Sequence, residues 1–138
     1  MDEQTEAIDL MRSITSKLIR NQANTMQNLN LNQQQGRTLQ YIGLHEGLIQ
    51  KDLADAFLLR GATISSMLQG LEQKGYIERR VPSDNERQKQ IFLSERGSKV
   101  LADVNQVFID SQKKLKQTIN DKEYQELIRL LRAVNQNM

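Results

Sequence analysis

Between Ile49 and Gly97 the chain carries two short amphipathic runs, a glycine stop and two strand-like runs, and this order of parts narrows its fold more than any other feature. Leu53, Phe57, Leu59, Ile64, Met67, Leu68 and Leu71 recur at helical spacing, and Gly75 ends the second run. Tyr76–Val81 and Gln88–Leu93 are rich in strand formers, and Pro82-Ser83-Asp84-Asn85 between them are all turn residues, so the pair predicts a β-hairpin. Arg79, Arg80, Arg87 and Lys89 concentrate positive charge there. Two short helices followed by a basic wing predict a winged helix-turn-helix, a form suited to gripping double-stranded DNA.

The flanks read as helix. Ile8, Met11, Ile14, Leu18, Ile19, Ala23 and Met26 make one apolar stripe over residues 5 to 29. Asn32 with Gln35 resembles a capping box that opens a second helix with apolar positions Leu39, Ile42 and Leu44. Thr63 to Lys74 forms the helix after the turn. Ser94 caps a long helix to about Thr118, and Asn120 with Glu123 opens a last one carrying Tyr124, Leu127, Ile128, Leu131 and Val134. The fold class is therefore mainly α with a small β-hairpin. One domain is expected over residues 1–138, with a winged helix-turn-helix core over 32–97 and dimerisation helices over 1–30 and 98–138. The terminal stripes exceed what one small winged core can cover, so the chain is expected to pair with itself as a homodimer.

Composition removes other classes of function. The chain has no cysteine and one histidine, His45, so neither thiol chemistry nor a zinc site of ordinary ligands is expected, and no cofactor. Asp52 and Asp55, three apart beside Lys51, read as a solvated helix face, and no nucleotide or triad motif is present, so an enzyme is not expected. No apolar run approaches membrane-spanning length and MDEQTEAIDL is unlike a signal peptide, which predicts a cytoplasmic protein with no membrane partner. With a formal net charge of only +2, DNA contact must come from a local basic patch.

Opposite the buried side of the helix after the turn lie Ala62, Ser66, Gln69 and Gln73, flanked by Thr63 and Ser65. Glutamine pairs bidentately with adenine in a major groove, and hydroxyls reach bases or phosphates, which suits Thr63, Ser65, Ser66 and Gln69. A merely solvated polar face has the same periodicity. Arg79 and Lys89 alternate with apolar neighbours and are expected to point outward toward phosphates, with Ile77, Ile91 and Leu93 inward, although ion pairs with Glu78 are equally open to them.

Leu53-Ala54, Thr63-Ile64-Ser65, Leu71 to Arg79 and Asn85 to Gly97 together resemble the MarR family of bacterial transcription regulators. The resemblance covers nearly the whole chain. It implies a sequence-specific regulator, a repressor that binds a pseudo-palindromic operator as a homodimer. It also implies that Arg87, at the hairpin tip, enters a minor groove as the arginine of an Asp-x-Arg wing motif. Here Asn85 holds the acidic position, with Asp84 and Glu86 beside it. Leu58 stands where the family often has glycine, and Arg60 where a capping residue often precedes the helix, so Arg60 either forgoes the cap or meets a phosphate. The family's small-molecule site implies a small organic effector, apolar with an acidic group, between the helix of residues 5 to 29 and the winged lobe, where Arg12, Arg20 and Tyr41 lie on the lining helices. A winged-helix interaction module that binds a protein or RNA partner is the competing reading.

Overall fold

The starts of α2, α3, α5 and α6 are each specified by a hydrogen bond that local sequence supplies. A computed structural model describes residues 2–82 and 88–138. Its elements are α1 (Glu6–Asn28), α2 (Gln33–Leu44), α3 (Gln50–Phe57), α4 (Gly61–Gln73), β1 (Ile77–Arg80), β2 (Gln90–Leu93), α5 (Glu95–Lys116) and α6 (Asp121–Asn137). Asn32 Oδ1 accepts from Gln35 N at 2.8 Å and Gln35 Oε1 accepts from Asn32 N at 3.0 Å, the reciprocal box expected for α2. Asn120 and Glu123 do the same for α6, at 2.8 and 3.1 Å. Asp52 differs from expectation. Its Oδ2 accepts from Ile49 N at 3.0 Å, so this acid caps α3 from inside the first turn rather than serving only as a solvated charge.

The core draws on α1 to α5 and both strands, Met26 of α1 and Ile77 of β1 included. Leu39 and Ile42 of α2, Leu53 of α3, Ile64, Leu68 and Leu71 of α4, Ile91 of β2 and Val104 of α5 are wholly buried. Each such aliphatic side chain contributes about 1.5–3 kcal/mol of transfer free energy. Leu44 departs from its expected place in this core, at 74% exposure, because α2 ends there and the chain turns away at His45. β1 and β2 pair antiparallel, with Ile77 opposite Leu93 and Arg79 opposite Ile91. Leu48 adds a single bridge on the far side of Ile91, whose N–H donates to the Leu48 carbonyl at 2.8 Å, a pairing that one isolated residue does not announce.

The long terminal helices leave much of their apolar surface uncovered in one chain. α1 packs on α2 and α5, burying Met26 and Gln22, and the Gln22 amide donates to Ser111 Oγ of α5 at 2.8 Å. Ile8, Met11, Ile14 and Ile19 stay exposed, so most of the α1 stripe is not core. α6 touches the rest of the chain only sparsely: Tyr124 is buried near Lys116, whereas Leu130, Leu131 and Val134 are exposed. Lys113, Lys114 and Lys116 occupy the last turn of α5, where they complement its dipole.

The junction between hairpin and α5 tolerates no side chain. Ser94 N donates to the Tyr76 carbonyl at 3.0 Å, Ser94 Oγ accepts from Gly97 N at 2.9 Å, and a Cβ at Gly97 would lie 1.9 Å from that same carbonyl oxygen. A backbone atom cannot swing aside as a side chain can. Gly97→Ala is therefore expected to cost about 2–4 kcal/mol, read as a lower urea midpoint with an unchanged slope. An unshifted midpoint would show that α5 can slide on the hairpin without cost.

Candidate nucleic-acid interface

The α3-turn-α4 unit is set by burial on one face of α4. With Ile64, Leu68 and Leu71 locked inward, Ala62, Thr63, Ser66, Gln69 and Gln73 stand exposed on the other side and Ser65 is half-buried. Further bonds hold α4 to α2. The Lys74 ammonium donates to the Asn30 carbonyl, and Thr38 Oγ1 of α2 donates to Met67 Sδ at 3.1 Å. A groove of about 560 Å³ runs between the two helices, lined by Asn32, Gln34, Gln35, Ala62, Thr63, Ser66 and Met67. The α2 residues on that groove carry no sequence signal of their own, because only the packing of α2 on α4 brings them beside Thr63 and Ser66.

α4 begins two residues earlier than the periodicity indicates, with Arg60 as the residue before its first turn. Arg60 is exposed, has extended backbone (φ −69°, ψ 148°) and makes no side-chain cap. The turn before it holds Leu58 in the left-handed region, at φ 53°, with 91% of its surface exposed. A leucine there suffers a steric cost that glycine avoids and gains no burial in return. Leu58→Gly is expected to raise stability by about 0.5–1 kcal/mol, measured by denaturant titration, the gain limited by the extra freedom glycine gives the unfolded chain. A loss of stability would mean that Leu58 packs in solution.

The wing corrects one expectation. Ile77 and Arg79 fall on the same side of β1, so Arg79 shares the inward face and sits opposite Ile91 rather than pointing outward. Its Nε lies 3.4 Å from Glu72 Oε2 of α4, an ion pair too poorly aligned to count as a hydrogen bond, and its side chain is only 19% exposed. The outward cation on β1 is Arg80. Its guanidinium stacks 4.1 Å from the Phe92 ring centroid and approaches Glu78 at 3.6 Å. Period-two counting from Ile77 identifies Arg80 without a structure. Lys89 is exposed just before β2. Arg87, with Asp84, Asn85 and Glu86, lies outside the described residues.

The residues expected to line an effector site divide between two places. Tyr41 packs against His45 and Phe57 on the α3 side of α2, with ring centroids 4.3 and 5.4 Å away. Arg12 and Arg20 are exposed on α1. Among the described residues, no helix is long and apolar enough to cross a membrane and no group of three or more His, Asp or Glu could hold a metal.

Comparison with known proteins identifies the lineage. Residues 29–88 match the model of the MarR family. A solved structure from Clostridium acetobutylicum, assigned to the MarR family of transcriptional regulators, is 40% identical, with 97% of this chain and 99% of that one covered and a TM-score of 0.67. This chain belongs to the MarR family. Its MarR-type fold also aligns with Staphylococcus aureus MepR in a complex with DNA, at TM-score 0.83 and 26% identity, covering 94% of this chain and 96% of that one. The Clostridioides difficile HTH-type transcriptional regulator BilQ is 29% identical over 94 residues, a stretch that spans 68% of this chain and 64% of BilQ.

Proposed function

We propose that the chain is a cytoplasmic, non-enzymatic repressor that binds a pseudo-palindromic operator as a homodimer. The observation that carries this reading is the exposed arc of α4, fixed from behind by buried Ile64, Leu68 and Leu71, with the exposed cations Arg60 at its start and Arg80 and Lys89 on the wing. A helix so held enters a major groove as a rigid body. Thr63, Ser65, Ser66 and Gln69 then face base edges and phosphates, and the uncapped start of α4 with Arg60 suits a phosphate. MepR, the relative aligned above, is found in a complex with DNA. Arg79 acts here by bracing the hairpin on α4 through Glu72, and from sequence Arg87 is the wing's groove contact.

In this reading residues 32–97 are the DNA-binding core, and residues 1–30 and 98–138 pair with a second copy. Support comes from Ile8, Met11, Ile14 and Ile19 of α1 and Leu130, Leu131 and Val134 of α6, all uncovered in the single chain. Two copies place two α4 helices on successive half-sites. An organic acid effector fits the recess between α1 and α5, about 360 Å³, where Lys113 and Lys114 outnumber the one acid, Asp110, beside Asn21, Thr25 and Ser111. Such a ligand releases DNA only by its differential affinity for two dimer spacings.

Two measurements test the reading. Light scattering at sub-micromolar protein is expected to give twice the chain mass, and a stable monomer would remove the basis for palindrome recognition. Gln69→Ala is expected to cost roughly 1–3 kcal/mol at one base position per half-site and relax the preference there, with a smaller effect for Ser66→Ala. A binding-site selection that returns one motif for both wild type and Gln69→Ala would remove Gln69 from base reading. Weak binding with no sequence preference at low salt would favour a protein- or RNA-binding module.

A further inference from the structure

A second recess, apart from α4 and from the α1–α5 groove, opens between the end of α2 and α3. It measures about 450 Å³ and is lined by Tyr41, His45, Leu48, Asp52, Asp55 and Ala56. Its aromatic wall is built by local backbone geometry. His45 leaves the helix at φ −137°, its N–H bonded back to the Tyr41 and Ile42 carbonyls, and its ring lies 4.3 Å from Tyr41 at an interplanar angle of 37°. Phe57 meets the Tyr41 ring edge-on at 71°. The Tyr41 ring thus contacts two others, and buried Leu48 lines the recess beside it.

The acidic residues that line the recess are Asp52 and Asp55. Asp52 and Asp55 lie three residues apart on one face of α3, among the described residues no lysine or arginine lines the recess, and the carbonyl end of α2 lies beside it at His45. Asp52 is partly committed to capping α3, whereas Asp55 has no hydrogen-bond or ion-pair partner among the described residues. The aromatic cluster also shows what it attracts. On its outer side the Arg37 guanidinium sits 5.1 Å from the Phe57 ring centroid. An anion would meet two carboxylates here, and a neutral aromatic would leave them unanswered. A flat or quaternary organic cation satisfies both the ring faces and Asp55.

We infer that the α2–α3 recess is a binding site for an aromatic or quaternary organic cation, held by Tyr41 and His45 and selected by Asp55. The site is separate from the DNA-reading arc and from the recess assigned to an organic acid, and it does not depend on either. Its chemistry is opposite in sign to theirs.

His45 is the only histidine, so its imidazole Cε1–H resonance reports on this recess without assignment. The full chain is titrated with benzyltrimethylammonium, and separately with benzoate, at constant pH and ionic strength. The expected result is a saturable displacement of the His45 signal by the cation, half complete at about millimolar concentration for a probe of this size, and none by benzoate. Asp55→Asn, an isosteric change at an exposed position, is expected to weaken the cation about three- to tenfold, and Tyr41→Leu about tenfold. Asp55→Asn keeps the test decisive should Tyr41→Leu unfold. No saturable displacement, an equal response to benzoate, or unchanged affinity in Asp55→Asn would overturn the inference. Each of these outcomes concerns the free protein and leaves the DNA-binding reading untouched.

Discussion

The burial of one face of α4 is the constraint on which the rest of the structure depends. Ile64, Leu68 and Leu71 give up all contact with solvent to Leu39, Ile42, Leu53, Ile91 and Val104, and a helix anchored at three points along one face cannot rotate about its axis. Its other face is thereby presented as a fixed array. Because close-packed interiors resist small displacements, Thr63, Ser66 and Gln69 keep their mutual positions without bonds among themselves. Their polar side chains need no stabilising role and are left available for base and phosphate contact.

Around this helix, polar ties hold neighbouring elements in register. Lys74 reaches the Asn30 carbonyl, so the end of α4 is tethered to the entry of α2. Glu72 and Arg79 join α4 to the first strand of the wing, and the Tyr76 carbonyl receives Ser94 N where the second strand hands over to α5. Displacing α5 would therefore strain the hairpin and α4 together. Gln22 and Ser111 make a similar tie between α1 and α5, buried where neither partner has water as an alternative. These bonds provide a physical route from the outer helices to α4, which is what a change of spacing in a dimer requires.

The same helices carry surfaces that one chain does not cover. The outer half of α1 and most of α6 expose aliphatic residues in series, and α6 has little of its own chain to rest on. Scattered exposed leucines are ordinary on a protein surface, but a repeated stripe along two terminal helices marks an interface. The acidic, aromatic recess at the end of α2 is of another kind, since its carboxylates and rings are arranged for a charged small molecule.

Local order along the chain determined the elements and most of their ends. Asn32, Ser94 and Asn120 start helices because their side chains satisfy N–H groups three residues on, and the α4 periodicity by itself separates Ile64, Leu68 and Leu71 from Thr63, Ser66 and Gln69. Such interactions close within four residues, so sequence records them directly. Tertiary structure alone decided the rest. It set Glu72 against Arg79, paired Leu48 with Ile91, and brought Tyr41 to Phe57 and the α3 acids. Each of those outcomes depends on which distant segment occupies the adjoining space, and a residue's neighbours in the chain carry no record of that.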